Sequence, residues 1–252
     1  MINIYNAADI SLIRESCRLV AKTLIMLESY VKPGVNTLFL DKIAEDFIRS
    51  HGAIPAFKGY GGSRNPYPAT LCVSINEEVV HGIPGDRVLK DGDIVGIDCG
   101  NVLNGFYGDH AKTFAVGEVS PENQELILHT KASLDLGLSK AVAGNRVNDI
   151  GHAVQTYIED KGYSVVRDLV GHGVGKQLHE EPAVPNFGKA GTGPLLKAGM
   201  VLAIEPMINR GGWRVKVQRD GWTIVTADKS MSAHFEHTVL VGEQSAEILT
   251  MI

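Results

Sequence analysis

The chain has 252 residues, 44% of them hydrophobic and 21% charged, with a net charge of −5 at neutral pH. That length supports a large core and is common for one domain. The acidic balance argues against nucleic acid as the main ligand, and no run approaches the roughly 18 apolar residues of a membrane span.

The three cysteines, Cys17, Cys72 and Cys99, are too few and too scattered for a disulfide framework or a zinc ribbon. No signal-peptide pattern opens the sequence, so a cytoplasmic location is expected. Ile10, Ile13, Cys17, Val20, Leu24, Leu27 and Val31 recur at three- and four-residue steps. They predict a long amphipathic helix, capped from Asn6 and ending before Pro33-Gly34. Thr37 is expected to cap a second helix with Leu40, Ile43, Ala44, Phe47 and Ile48 on its buried face, stopping at Gly52. Ile54–Ala69 is rich in glycine, proline and aromatics and reads as a shaped loop. A strand over Leu71–Ile75 follows, and then His81 in the turn-rich VVHGIPGD.

Asp93–Phe114 reads as a hairpin. Ile94, Val95 and Ile97 lead into Asn104-Gly105, the signal of a type I′ turn, and a second strand runs out through Phe106 and Tyr107. The implied register sets Leu103 opposite Phe106 and Gly100 opposite Asp109. Asp98 and Asp109 then share one face, about one diagonal apart. Two carboxylates that close need a cation or a shared proton between them, unless they are solvated at an edge.

Ser120-Pro121 opens a third helix, expected to end at Gly144. A fourth carries Val147, Ile150, Val154, Tyr157 and Ile158 and stops at Gly162. Val165-Val166, a Gly/His-rich loop over Gly171–Glu181, and strands around Val201–Glu205, Val215–Val217, Thr223–Thr226 and His237–Val241 complete the chain. The two rounds of helix, helix, strands match in letters. LKDGDIVGID, ending at Asp98, aligns with LKAGMVLAIE, ending at Glu205, at an offset of 107. TFAVGE from Thr113 aligns with TVLVGE from Thr238 at an offset of 125. Asp109 then falls on His234, with Glu236 two residues on and on the same strand face. A duplicated unit folded about a pseudo-twofold axis would bring Asp98, Asp109, Glu205 and Glu236 together.

Four inward carboxylates cannot all stay ionised without positive charge, and no Lys or Arg in these strands is placed to supply it. Divalent ions are the simple answer: two, bridged by carboxylates, suit four acids, and oxygen-rich ligation selects Mn, Fe(II), Co or Zn. His172 and His179 in the Gly-lined stretch, with His81 in the analogous loop, supply ligand or proton-transfer groups. His51, His110, His129, His152, His234 and His237 lack such a context and are expected at the surface or behind the site.

NEEVVHGIP (76–84), DIVGID (93–98), Gly108-Asp109, GHGVG (171–175), HEEP (179–182), IEPM (204–207) and FEHT (235–238) resemble, in order and spacing, the type I methionine aminopeptidases of the bacterial, unextended kind. The resemblance implies the α+β pita-bread fold, two similar halves around a dimetal site in a single catalytic domain. It implies metal ligation by Asp98, Asp109, His172, Glu205 and Glu236, with Asp109 and Glu236 bridging, and a monovalent cation nearby. It further implies that a metal-bridging hydroxide attacks the scissile carbonyl, with Glu205 as proton shuttle, His179 on the carbonyl and His81 on the substrate amide. Phe57, Tyr60, Tyr67, Cys72 and Trp222 are placed around the methionine side chain; for Phe57 and Tyr67 core packing is an equal expectation. Substrates would be nascent N-termini, with transient ribosome association and a monomeric enzyme. The sequence departs from commoner members in an insertion at Gly61–Asn65, in Leu178 where an aromatic is usual, and in His110 where a small residue is frequent.

Three alternatives stand beside this expectation. An Xaa-Pro aminopeptidase of the same fold usually carries a further N-terminal domain, whereas only residues 1–92 precede the hairpin. A non-catalytic pita-bread binding protein would have lost ligands, and all five are acids or histidine here. A two-metal phosphoesterase would need a phosphate cradle beside the acids, and no such motif is present.

Overall fold

The computed structural model describes residues 1–252. The first half contains α1 (Ala7–Glu28), α2 (Thr37–Ser50), β1 (Ile54–Pro55), β2 (Leu71–Ile75), β3 (Glu78–Val80), β4 (Ile94–Leu103) and β5 (Phe106–Ala115). The second contains α3 (Pro121–Leu138), α4 (Val147–Asp160), β6 (Ser164–Val165), β7 (Gly171–Gly173), β8 (Glu180–Val184), β9 (Val201–Ile204) and β10 (Met207–Asn209). It ends with β11 (Val215–Val217), β12 (Ile224–Thr226), β13 (Ser232–His234), β14 (His237–Leu240) and β15 (Glu247–Ile248). No helix is long and apolar enough to cross a membrane.

The helices follow their predicted faces, with shifted ends. Asn6 caps α1 by accepting from the N–H groups of Ala8 and Asp9, and α1 stops at Glu28. Val31 therefore lies beyond the helix but still in the core. Asn36, not Thr37, caps α2, its side chain accepting from Phe39 N–H. The third helix ends at Leu138, six residues before Gly144, because the chain is drawn out to Ala143, whose N–H donates to the Gly242 carbonyl.

In the first half β4 is central, with β5 on one edge and β1 and β2 on the other. Val95, Ile97 and Cys99 of β4 pack with Leu19, Val20 and Leu24 of α1 and Leu40, Ala44 and Ile48 of α2. The second half repeats this in the sheet β15-β14-β9-β7-β8. There Leu202 and Ile204 of β9 and Val239 of β14 pack on Leu134, Leu138, Val147 and Ile150 of the α3–α4 pair. Each fully buried Ile or Leu contributes roughly 1.5–3 kcal/mol, so truncating Ile97 or Ile204 to Ala should cost about 2–5 kcal/mol. In both halves the helices cover one sheet face and the residues of alternate parity point to the other. Two such halves, inner faces together, form the pita-bread arrangement.

Candidate active site

The aspartate hairpin forms as expected. Asn104 and Gly105 both take left-handed backbone, at φ 53° and 80°. Leu103 pairs with Phe106 and Gly100 with Asp109. Since Ile97 and Cys99 face the helices, alternation turns Asp98 and Asp109 inward. Glu205 directly follows β9, and Pro206, which has no backbone N–H, ends the strand there. Asn186 Nδ2 donates to the Glu205 carbonyl at 2.9 Å and fixes this strand end.

Glu236 reaches the same centre by a different route from the one expected. No continuous strand carries residues 234 and 236. The chain breaks at Phe235-Glu236 and passes from β13 to β14, which belong to different sheets. The Glu236 N–H instead donates to the Ala111 carbonyl of β5 at 2.9 Å.

His172 also differs from expectation: it sits on strand β7, not in a loop. Its flanking glycines are required by the neighbouring strands. A β-carbon at Gly171 would lie 2.3 Å from the Ala203 carbonyl oxygen, and one at Gly173 would lie 2.4 Å from that of Glu181. His172 Nδ1 meets the Gly173 carbonyl at 2.9 Å, which assigns the proton to Nδ1 and leaves Nε2 as an electron-pair donor. Nε2 lies 3.5 Å from Glu205 Oε1 and 3.8 Å from Asp109 Oδ2.

Of the two places expected for His234, the surface or behind the site, the structure has the second: it is buried, with Nε2 3.5 Å from Glu205 Oε2. The 125-residue offset already aligned it with Asp109. His110 and His237 lie behind the site: their rings stack at 4.5 Å, and His110 Nδ1 contacts the Glu236 carbonyl. His51 and His152 are exposed, and His129 is occupied by the Tyr157 hydroxyl at 2.8 Å.

The electrostatics are those of an uncompensated anionic centre. Desolvation raises the Asp98 carboxyl to about 7. Burial, reinforced by Asp98 and Glu205, lifts Asp109 well above the carboxylate range, and burial with Asp109 does the same for Glu236. Glu205 alone is held low: desolvation raises it, but His234 and His172 lower it by more. Asp98 Oδ1, Asp109 Oδ1 and Glu236 Oε1 are buried with no hydrogen-bond donor in reach. Donor atoms of Asp109, His172 and Glu236 lie within 4.8 Å of one another. No Lys or Arg lines the cavity. Orphaned carboxylate oxygens beside one free imidazole nitrogen fit divalent metal ions.

All twelve residues singled out from the sequence line one cavity of about 100 Å³, together with Leu178. Its anionic end holds Asp98, Asp109, His172, Glu205 and Glu236, and its apolar end Phe57, Tyr60, Tyr67, Cys72, Leu178 and Trp222. Phe57 and Tyr67 serve as both lining and packing, in one buried cluster with Cys72 and Leu178. A β-carbon at Gly100 would sit 2.7 Å from the Phe57 ring, so the glycine opposite Asp109 makes room for that wall. The Tyr67 hydroxyl donates to the carbonyls of Leu71 and Gly82, leaving its ring as the apolar surface.

His81 takes a left-handed backbone at φ 59°, uncommon for a non-glycine residue, and desolvation lowers its pKa. His179 stands at the mouth, its Nδ1 2.6 Å from the Tyr60 hydroxyl and its ring edge-on to His172 at 4.3 Å. Desolvation and the His172 imidazole lower it to about 4.

Comparison with known proteins gives the same picture. Methionine aminopeptidase of Clostridium acetobutylicum is 54% identical over 100% of this chain and 99% of its own length. The crystal structure of methionine aminopeptidase from Rickettsia prowazekii superposes with a TM-score of 0.97 at 43% identity, covering 100% of both chains. The prolidase from Pyrococcus horikoshii shares the fold alone, at a TM-score of 0.79 and 21% identity, over 98% of this chain and 63% of its own. The family model described as metallopeptidase family M24 matches residues 11–243, and the chain belongs to that family.

Proposed function

We propose that this chain removes the N-terminal methionine from peptides and nascent proteins whose second residue is small. The observation that carries this is one short cavity joining an anionic, metal-fitting end to an apolar end. The metal-fitting end, once loaded, would take a free α-amine, and the apolar end one unbranched side chain. A cavity of about 100 Å³ has room for a single residue, so only a chain terminus can be cleaved.

Asp98, Asp109, His172, Glu205 and Glu236 would hold two divalent ions of the Mn, Fe(II), Co or Zn group. When bound, such ions neutralise the carboxylates, lower the pKa of water and polarise a carbonyl. Around them the protein's own groups divide the remaining work. Glu205, the one acid held ionised without a metal, is suited to accept a proton and return it to the leaving amine. His179 is neutral at pH 7. With Tyr60 donating to its Nδ1, its Nε2–H is free to donate to the substrate carbonyl oxygen. His81, which lines the same cavity, would hold the substrate amide. A monomer acting on nascent chains in the cytoplasm is the setting this implies.

Metal-stripped protein reconstituted with Mn or Co is expected to release methionine from Met-Ala-Ser and to leave Ala-Pro, an internal Met-Ala bond and a phosphodiester intact. Cleavage of Ala-Pro alone, or no release with any divalent metal, overturns the proposal.

A further inference from the structure

Residues 59–67 form a loop closed at its base, with Gly59 N–H donating to the Tyr67 carbonyl and Tyr67 N–H to the Tyr60 carbonyl, both at 2.8 Å. At the far end, Asn65 grips the turn that carries Trp222. Its Nδ2 donates to the Asp220 carbonyl at 3.1 Å, and its backbone carbonyl accepts from Trp222 Nε1 at 3.1 Å. That turn is already stiff. The Asp220 carboxylate accepts from Trp222 N–H at 2.8 Å, from Thr223 N–H at 2.9 Å and from the Thr223 hydroxyl at 2.7 Å. The fit between loop and turn is close on both sides. A β-carbon at Gly61 would come within 2.6 Å of the Trp222 ring, and one at Gly221 within 2.8 Å of Asn65 Nδ2.

Asn65 and Gly61 do not line the cavity, but Trp222 does. Its ring meets Tyr67 edge-on at 5.2 Å and His81 at 6.4 Å. Trp222 is the bulkiest side chain bounding the apolar end. An indole has two side-chain torsions and can swing away from the pocket unless Nε1 is held. The one hydrogen bond from Nε1 goes to the Asn65 backbone carbonyl, and the Asn65 side-chain bond to the Asp220 carbonyl is what holds that carbonyl against the indole.

We propose that Asn65 is a positioning residue for substrate selectivity: by clamping the Asp220–Trp222 turn it fixes the width of the apolar end and excludes branched and aromatic N-terminal side chains. This rests on the apolar end being the pocket for the terminal side chain. The metal-fitting end is untouched by the clamp, so its loss should relax selectivity and leave the turnover of methionine substrates nearly intact.

The test uses full-length protein carrying Trp213→Phe, which leaves Trp222 as the sole tryptophan. Asn65→Ala removes the side-chain bond, and Asn65→Asp keeps its shape but loses the donor. Two quantities are read for each: acrylamide quenching of Trp222, and kcat/KM on Met-Ala-Ser, Leu-Ala-Ser and Phe-Ala-Ser with Mn. Both variants are expected to quench more readily and to lose about tenfold in the Met-over-Leu and Met-over-Phe ratios, with kcat on Met-Ala-Ser within about twofold of the parent. Unchanged quenching in both variants overturns the clamp, and this holds whether or not the parent cleaves peptides. Raised quenching with unchanged ratios overturns the selectivity role. A parent inactive on all three peptides strikes the proposed function, and the selectivity role with it.

Discussion

In the first half β4 and β5 pair over ten residues each without interruption; in the second the matching strands β9 and β14 pair over four, and the chain breaks at Glu236, just before β14. The backbone plan is nevertheless the same. Ile97 pairs with Lys112 as Ile204 pairs with His237, and Val95 with Phe114 as Leu202 with Val239. Gly34 N–H bonds the Leu89 carbonyl as Gly144 N–H bonds that of Leu196, and Val116 N–H bonds Asp93 as Val241 N–H bonds Met200. The halves also hold each other reciprocally: the Thr113 hydroxyl donates to the His234 carbonyl, and its counterpart Thr238 donates to that of Asp109. On this shared frame the side chains diverge. Asp98 corresponds to Glu205, but Asp109 corresponds to His234, and the second half's other acid has moved to the position of Ala111. The consequence is electrostatic. The first half contributes two carboxylates pushed upward by desolvation, whereas His234 lets the second contribute one that stays ionised.

If the halves act as one metal cradle, removing an acid from either should have the same effect. Asp98→Ala and Glu236→Ala are each expected to lower kcat/KM on Met-Ala-Ser by about a thousandfold or more, the several kcal/mol that bound metal supplies. Their circular dichroism should match the parent. Retained turnover in either variant removes that residue from the cradle, and a large deficit confined to one half breaks the equivalence.

A smaller effect separates the halves in metal-free protein. Asp98 has a folded pKa of about 7 against an ordinary 3.8. Its stabilising contribution is fully present below about pH 4 and is lost as pH rises through 7, because the folded state holds the proton more tightly. His110, His179 and His237, lowered to about 3, 4 and 4, act in the opposite sense, so the test is a difference between variants. Relative to the parent in EDTA, Asp98→Asn should gain on the order of 2 kcal/mol in urea denaturation between pH 4.5 and pH 7.5. Glu205→Gln should show no such gain, since Glu205 is held low. Equal gains would mean that His234 does not distinguish the halves.

What the sequence disclosed about this site was local or repeated. The hairpin was readable because its register follows from one Asn-Gly turn and a period of two. Glu205 was readable because an offset of 107 carries it onto Asp98, and Glu236 as the acid two residues beyond His234, the counterpart of Asp109 at an offset of 125. What escaped depended on partners far along the chain. The break at Glu236 is set by an N–H bond to Ala111, which no local propensity signals. The glycines around His172 read as a loop, yet they answer carbonyl oxygens of Ala203 and Glu181 across the sheet. The end of α3 is drawn out by Gly242, over a hundred residues away. His234 was visible in the alignment as the counterpart of Asp109 and lacked only a reason, which its contact with Glu205 supplies.

The finest distinction lies in the two threonines that tie the halves together. Thr113 Oγ1 donates to the His234 carbonyl at 2.8 Å and also accepts from the His234 N–H at 2.9 Å. Thr238 Oγ1 donates to the Asp109 carbonyl at 2.7 Å, and no backbone N–H donates to it in return. Replacement by valine keeps the shape and removes the hydroxyl. Thr113→Val thus orphans a buried backbone N–H as well as a carbonyl, whereas Thr238→Val orphans a carbonyl alone. Each buried backbone group left unpaired costs about 1 kcal/mol or more, so Thr113→Val should destabilise by about 2 kcal/mol and Thr238→Val by about 1 kcal/mol in urea. Equal costs would make the tie symmetric in energy as it is in backbone. A larger cost at Thr238 would place the stronger anchor behind Asp109, in the half whose strands are already continuous.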